Sequence, residues 1–202
     1  MERQYKYQVI ALIGKSAAGK DTIQKETVRL HPNFFHPIVS CTTRPQRDYE
    51  RDGVDYHFIS VEDFTLKVLN YEMLEATEFN DWFYGTPIDS LRDDRINIGV
   101  FNPAGVEALL QDPRVEVSVI EVWASDKARL LRSLKREENP NCAEICRRYF
   151  ADENDFSDLD FEPLARIDTE KERTADLMKI SPNTMKGIYE RALADKGKIG
   201  QF

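Results

Sequence analysis

The residue types and spacing between Gly14 and Lys20 are suited to binding phosphate. The segment reads G-K-S-A-A-G-K, with a second glycine five positions after the first and a lysine directly after it. Glycine lets the backbone turn tightly enough for successive N–H groups to face one phosphate, and the lysine can reach the outer phosphates. An apolar run at 8–13 precedes the segment and a helical pattern follows it, so the positive end of a helix adds to the attraction. The sequence therefore predicts a nucleotide phosphate site formed by Gly14, Lys15, Ser16, Ala17, Ala18, Gly19, Lys20, Asp21 and Thr22.

A second candidate for anion binding is the segment S-C-T-T-R-P-Q-R, which begins at Ser40. Its arginines, Arg44 and Arg47, are three positions apart. Each guanidinium offers a planar fork of donors to phosphate oxygens. Taken alone, the pair is also compatible with a solvated basic loop.

The residues that follow favour a phosphate site. The run D-G-V-D-Y-H-F begins at Asp52, and Glu75 and a Y-G-T triplet at Tyr84 come after it. Together with the phosphate loop, this order resembles the guanylate kinases. Their pattern has a serine, two threonines and two arginines three apart, then a D-G-x-D-Y-x-F run, a lone glutamate and a Y-G-[ST] triplet. The match spans roughly residues 9–86, and the rest of the chain fits more loosely.

The resemblance implies two groups of acceptor-site residues. One group holds the phosphate of the acceptor nucleotide and comprises Ser40, Arg44, Arg47, Tyr56 and Tyr84. Glu75 and Thr86 would read the base. The chemistry of guanine agrees, because one ionised carboxylate can accept its N1–H and 2-amino donors together, while a threonine hydroxyl donates to O6. Adenine would turn the lone pair of N1 toward the carboxylate and be rejected.

The resemblance also implies ATP as phosphoryl donor and Mg²⁺ as cofactor. The usual motif has a serine or threonine directly after the lysine to hold the metal, but Asp21 stands there in this chain. Adenylate kinases also have a hydroxyl two places after the lysine, which makes Thr22 the predicted magnesium ligand. Asp21 could instead reach the metal through water.

The end of the third predicted strand departs from the guanylate kinase pattern. Asn102 occupies a position where that family has an aspartate, and Val100 occupies a second acidic position. An asparagine can still hydrogen-bond a base edge, so Asn102 joins the predicted GMP-binding residues, but it brings no charge. The preference between GMP, dGMP and a wider range of bases stays open.

Five arginines lie on either side of a polar segment at 137–141, in the manner of a closing lid. Similarity to monophosphate kinases implies that Arg132 contacts ATP and that Arg136 and Arg148 act on the transferred phosphoryl group, with Lys20 and Arg44. Arg147 is expected to face solvent or be paired. The alternative is acid–base pairing along exposed helices, since Glu144 and other acidic residues are close in sequence.

Apolar runs that alternate with helical stretches predict an α/β fold: a P-loop NTPase core with a parallel sheet flanked by helices. Predicted strands cover 8–13, 36–41, 96–101, 115–122 and 164–167, and helices are expected from near Asp21 and over 103–111, 125–136, 142–154, 170–179 and 182–195. Residues 42–93 differ, with short aromatic strands at 56–59, 73–79 and 82–84 and a helix capped by Ser60 and Asp63. We predict a single domain with a core of 1–41 and 94–202, an inserted nucleotide-monophosphate-binding subdomain of 42–93, and a helical lid at about 132–155.

Net charge, apolar runs and cysteine count argue against several classes of protein. The net charge of −8 argues against a general nucleic-acid binder, and no apolar run is long enough to span a bilayer. The three cysteines are too few for a disulfide framework. We expect a cytoplasmic protein, monomeric or homodimeric, with small-molecule substrates and no nucleic-acid or membrane partner.

The predicted function is ATP-dependent phosphorylation of GMP or dGMP. One alternative is a deoxynucleoside-monophosphate kinase of broader range, which the changes at Asp21 and Asn102 permit. An alternative of another class is a non-catalytic guanylate-kinase-like module that binds phosphopeptides. Such a module would not need Lys20 or the glycine loop.

Overall fold

The computed structural model describes residues 5–48, 50–79, 81–136 and 138–170. All of the predicted helix at 182–195, and all but the first residue of the one at 170–179, lie outside this part of the chain. Nine strands fall within it: β1 Tyr7–Ile13, β2 Phe35–Pro37, β3 Cys41–Thr42, β4 His57–Phe58, β5 Met73–Phe79, β6 Trp82–Pro87, β7 Ile96–Val100, β8 Val115–Trp123 and β9 Ala165–Asp168. The helices there are α1 Lys20–Leu30, α2 Val61–Leu69, α3 Pro103–Gln111, α4 Asp126–Arg136 and α5 Cys142–Asp155, with a 3₁₀ turn at Ile88–Ser90.

A parallel five-stranded sheet in the order β2-β7-β1-β8-β9 forms the centre of the fold. Its middle strand, β1, is apolar on both faces, and the side chains from Val9 to Ile13 are at most 1% exposed. A continuous apolar run of this kind is what a parallel strand covered on both sides requires. The predicted α/β class is confirmed.

The predicted second strand at 36–41 is wrong as a single element. Its first part is β2, which pairs with β7 at the edge of the parallel sheet, and its end is β3, which belongs to another sheet. Pro37 explains the division, because proline has no N–H to continue a ladder and is tolerated at a sheet edge. The Gln24 side chain donates to the carbonyl oxygens of Ile38 and Ile98, at 3.2 and 2.9 Å, and so holds the chain where it leaves the sheet.

A four-stranded sheet in the order β4-β3-β6-β5 is formed by the segment predicted as an insertion, together with Cys41 directly before it. Helix α2 packs on it through the buried ring of Phe64. A Cβ at Gly85 would lie 2.9 Å from both the Glu75 carbonyl oxygen and the Phe64 ring. The glycine of the Y-G-T triplet therefore allows strand and helix to approach closely.

Side-chain caps define where several helices begin. The Ser60 hydroxyl accepts the Asp63 N–H at 3.0 Å, which confirms the predicted cap of α2. Asn102 caps α3 in the same way and Pro103 follows it, as is common in the first turn of a helix. Asn141 caps α5. Among the helices that the structure describes, none has both the length and the apolar character needed to cross a membrane.

We predict that Gly85→Ala destabilises the protein by about 1–3 kcal/mol, because the added methyl group must displace backbone or the Phe64 ring. The measurement is the free energy of unfolding in urea. Ala76→Ser, at the exposed position paired with Gly85 across the strands, is the control and should change stability little. Equal stability of Gly85→Ala and the wild type would contradict the packing argument.

Candidate active site

The phosphate loop joins β1 to α1, as predicted, and each of its glycines has a structural reason. A Cβ at Gly14 would collide with the Val122 carbonyl oxygen on β8, so the loop can lie against the sheet only with glycine there. Gly19 has φ 111° and precedes the first residue of α1. Ala17 also lies in the left-handed region, at φ 61°. The Lys20 ammonium donates to the Gly14 carbonyl oxygen at 2.5 Å, and burial lowers the pKa of this lysine.

Helix α5 contacts the phosphate loop through the side chain of Asp152. This carboxylate accepts the Ser16 N–H at 2.7 Å, the Ser16 hydroxyl at 3.1 Å and the Arg129 guanidinium at 2.7 Å. Arg129, 3% exposed, also donates to the Ser16 carbonyl oxygen. Next to it Lys15 pairs with Glu153 at 2.5 Å. Sequence reasoning missed Asp152, since 136 residues separate it from Ser16.

Arg132 of helix α4 contacts the phosphate loop at residues other than those bound by Asp152. Its guanidinium donates to the carbonyl oxygens of Ala17 and Ala18, at 3.3 and 3.1 Å, and to the Thr169 hydroxyl at 2.9 Å. The Thr169 hydroxyl in turn contacts the Ala18 carbonyl oxygen at 2.9 Å. The predicted ATP-side arginine is therefore placed against the phosphate loop.

Arg147 and Arg148 of α5 both donate to Glu144, each from Nε at 2.7 Å. Hydrogen bonds from Arg147, and then from Arg148, lower the pKa of Glu144 to about 2. Arg147 is thus paired, as expected. Arg148 is paired too, yet it also lines a cavity together with Lys20 and Arg136. The acid–base pairing along the helix is therefore present, and the role of Arg148 in phosphoryl transfer stays a prediction.

Arg44 is buried and fixed by a carboxylate. Its two terminal nitrogens bind the two oxygens of Glu50 at 2.7 and 2.6 Å, and one also donates to the Pro45 carbonyl oxygen. The guanidinium carbon lies 5.1 Å from the ring centre of Tyr56 and 5.4 Å from that of Phe58. The side chains of Arg44 and Glu50 are only 5% and 7% exposed. Glu50 was not among the predicted residues, although it lies six positions from Arg44.

Arg47 and two tyrosines complete this part of the site. The Arg47 N–H donates to Glu50 at 3.0 Å, and the rings of Tyr56 and Tyr84 meet edge to face at 6.0 Å. Burial alone would raise the pKa of Glu50, but hydrogen bonds from Arg44 and Arg47 outweigh it and hold the pKa below its usual value. Burial raises the pKa of Tyr56, which keeps its hydroxyl protonated.

Glu75 and Thr86 face each other across strands β5 and β6. Both are buried, and the Ser40 hydroxyl lies 3.0 Å from that of Thr86. Burial raises the pKa of Glu75 to about 7, while hydrogen bonds with Thr86 oppose the shift. A carboxylate and two hydroxyl groups therefore lie together in this part of the site.

Asn102 lies beside Glu75, at the start of α3. Its Oδ1 accepts the Gly105 N–H at 2.7 Å, and its Nδ2 donates to the Thr77 hydroxyl at 3.2 Å. Thr77 and Trp82 also line the cavity and were not among the predicted residues. The alternation of side chains along β5 could have indicated Thr77, two positions after Glu75.

These groups surround two adjoining cavities. One, of about 240 Å³, is lined by Lys20, Ser40, Arg44, Arg47, Tyr56, Glu75, Tyr84, Asn102, Arg136 and Arg148, among others. The other, of about 500 Å³, adds Thr22 and Arg132 and shares Lys20 and the acceptor arginines. Three predicted residues line neither: Thr86 lies behind Ser40, and Lys15 and Ala18 line a cavity next to β8.

The oxygen donors near the loop are compatible with magnesium. Asp21 lines both cavities and Thr22 lines the larger one. Within the described residues, no group of three or more histidine, cysteine, aspartate or glutamate side chains could hold a metal. A magnesium ion here would be held mostly by nucleotide phosphates and water, as is usual for this metal.

A glycine-bounded phosphate loop on a parallel sheet, opposite an inserted sheet with buried arginine and glutamate, defines the class of P-loop nucleoside-monophosphate kinases. The family profile described as guanylate kinase matches residues 6–180, and the chain belongs to that family. The predicted family is confirmed.

Individual proteins similar to this chain are also guanylate kinases. A guanylate kinase of Onion yellows phytoplasma (strain OY-M) is 33% identical over 160 residues, which cover 77% of this chain and 76% of the relative. One from Latilactobacillus sakei subsp. sakei (strain 23K) is 42% identical over 80 residues, which are 40% of this chain and only 39% of the relative. The crystal structure of guanylate kinase from Anaplasma phagocytophilum has the same fold, with a TM-score of 0.61 at 22% identity over 93% of this chain and 87% of that one.

We predict that Glu50→Gln lowers the free energy of unfolding by about 3 kcal/mol or more, because it leaves the buried charge of Arg44 without a partner. Glu144→Gln is the matched control: Glu144 also binds two arginines, but it is far more exposed, so its loss should cost less than about 1 kcal/mol. Urea unfolding at neutral pH measures both. Similar losses for the two variants would contradict the role of burial.

Glu75 gives the protein a pH-dependent stability. Its pKa is about 7 when folded and near 4.5 as the ordinary value, so the folded protein keeps a proton that the unfolded chain releases between these values. The free energy of unfolding should therefore fall as pH rises from about 4.5 to about 7, and the loss should persist above 7.

The measurement is urea unfolding at a series of pH values. Glu75→Gln has no proton to lose and should remove this component of the pH dependence. An identical pH profile for this variant and the wild type would show that Glu75 titrates normally.

Proposed function

We propose that this protein transfers the γ-phosphoryl group of ATP to GMP or dGMP, with Mg²⁺ as cofactor. The observation that carries the proposal is the cavity that the phosphate loop shares with the arginine pair and with Glu75. Its anion-binding groups suit two phosphates, and its buried carboxylate suits the donor edge of guanine. Membership of the guanylate kinase family supports the same assignment.

The acceptor phosphate would be bound by Arg44, Arg47, Tyr56 and Tyr84. Glu50 holds Arg44 in one orientation, so the acceptor meets a donor array that need not reorganise. The attacking oxygen is already anionic, and the transfer therefore needs no general base from the protein.

The negative charge on the transferred phosphoryl group would be neutralised by residues on the side of the cavity opposite the acceptor arginines. Lys20 and the backbone of the loop bind the donor phosphates, and Arg136 and Arg148 approach from helices α4 and α5. Bound magnesium would supply further positive charge, with Thr22 as its protein ligand and Asp21 as a second oxygen donor. Arg132 contacts the loop and would lie at the ATP side.

The parts that would move against each other are those predicted from the sequence. They are a core of 1–41 and 94–202, an acceptor subdomain of 42–93 and a lid at about 132–155. The contacts of Asp152 tie the end of this lid to the phosphate loop. We therefore propose that closure involves mainly the residues nearer the start of α5. Closure excludes water that would otherwise take the phosphoryl group.

The rival of another class, a non-catalytic phosphopeptide-binding module, has no use for the loop geometry around Lys20. The alternative of a kinase with a broader base range rests on Asp21 and Asn102, which stand where the family pattern has other residues. We further propose a cytoplasmic enzyme of purine nucleotide metabolism, monomeric or homodimeric, whose partners are its nucleotide substrates.

The test is ADP formation from ATP and Mg²⁺ with each ribo- and deoxyribonucleoside monophosphate. We expect turnover with GMP and dGMP, and a loss of at least about a hundredfold in Lys20→Ala, which removes the charge at the transferred phosphate. Lys127→Ala, on the exposed face of α4, is the control and should retain activity. No turnover by folded protein that still binds GMP would favour the non-catalytic module.

A further inference from the structure

The orientation of the Asn102 side chain is fixed by the helix that it caps. Its Oδ1 accepts the backbone N–H of Gly105 at 2.7 Å, which only an oxygen can do. The amide nitrogen consequently points the other way, and it donates to the Thr77 hydroxyl at 3.2 Å. Asn102 thus turns donors toward Thr77 and its oxygen toward α3.

Asn102 lies next to the carboxylate that would read the base. A Cβ built on Gly105 would lie 3.0 Å from Asn102 Oδ1 and 3.2 Å from Glu75 Oε2, so both oxygens adjoin the same point. Thr77 lies two positions after Glu75 on β5 and lines the same cavity. The hydroxyls of Ser40 and Thr86 form the other group near Glu75.

Guanine and hypoxanthine differ only at position 2. Both carry N1–H, which Glu75 can accept, and O6, to which a Ser40 or Thr86 hydroxyl can donate. Guanine adds a 2-amino group with two hydrogens, and Glu75 can accept one of them along with N1–H. The second hydrogen needs another acceptor, but Asn102 directs its single oxygen at the Gly105 N–H and its amide hydrogens toward Thr77.

We infer that the protein also phosphorylates inosine monophosphate and its deoxy form, and that Asn102 sets how strongly guanine is preferred over hypoxanthine. This inference rests on the proposed function. A carboxylate at position 102 would cap α3 equally well and would accept the second amino hydrogen. Asparagine does not make that contact. Hypoxanthine, which lacks the amino group, therefore loses only the hydrogen bond to Glu75.

The reaction is the same as with GMP. An anionic oxygen of the inosine monophosphate phosphate forms a bond to the γ-phosphorus of ATP, the bond from that phosphorus to the β–γ bridging oxygen breaks, and ADP leaves with the electron pair. The products are inosine diphosphate and ADP. Adenine nucleotides are excluded above pH 7, where Glu75 is ionised, because N1 of adenine would turn a lone pair toward the carboxylate.

The experiment compares kcat/KM for GMP, inosine monophosphate and AMP in the wild type and in Asn102→Asp. For the wild type we expect turnover of inosine monophosphate, with GMP preferred by roughly 10- to 100-fold, the effect of one unpaired acceptor. Asn102→Asp should raise the preference for GMP by about tenfold or more, mainly through faster use of GMP. AMP should be a negligible substrate for both proteins.

Asn141→Asp is the matched control. It makes the same chemical change at the cap of α5 and lies outside the acceptor cavity, so any change in activity should be equal for the two nucleotides and leave the preference unaltered. Thermal unfolding of all three proteins checks that the caps are retained. Turnover of GMP without inosine monophosphate, or a preference that Asn102→Asp leaves unaltered, would overturn this inference and leave the proposed function intact. No turnover of either nucleotide would overturn both.

Discussion

Asp152 holds together the parts of the molecule that must act on one phosphate. Its carboxylate binds both the N–H and the hydroxyl of Ser16 in the phosphate loop, and it neutralises Arg129 from α4. Both charged side chains are almost fully buried, so removing either would leave an uncompensated charge in a medium that solvates it poorly. Loop, α4 and α5 consequently keep one mutual arrangement.

The inserted sheet also contains a buried arginine that is paired with a buried carboxylate. Glu50 binds both terminal nitrogens of Arg44, and the rings of Tyr56 and Phe58 cover the guanidinium. Desolvation of these charges costs free energy during folding, but it leaves donors that are already oriented when an anion arrives. Two buried carboxylates outside the recognised motifs, Asp152 and Glu50, thus each pair with a buried arginine, and Asp152 and Arg44 line the same cavity.

Local patterns predicted much of this structure. The bounds of α3 and β5 agree with the sequence prediction at both ends, because an N-cap, a proline and apolar periodicity all act within a few residues. The phosphate loop and the family followed from short motifs in a fixed order, and the family is confirmed. The roles of single residues such as Glu75 and Thr22 stay predictions.

What the sequence could not indicate depends on contacts between distant residues. The division of the segment around Pro37 into two sheets requires knowing which strands lie beside it. Nothing in the sequence of α5 indicates that Asp152 will meet Ser16, because the two residues are 136 positions apart. Alternation along β5 places Thr77 on the same face as Glu75, but its contact with Asn102 requires knowing that this strand lies opposite the start of α3.

Ala17 connects the energetics of the loop to the helix above it. A non-glycine residue in the left-handed region costs roughly 1 kcal/mol, and here the same residue's carbonyl oxygen accepts a hydrogen bond from Arg132. The strain is tolerable while that bond and its neighbours persist, and it favours a different backbone shape once they break. The cost of this left-handed residue is thus offset in part by a side chain 115 positions away, and the shape of the loop depends on the placement of α4.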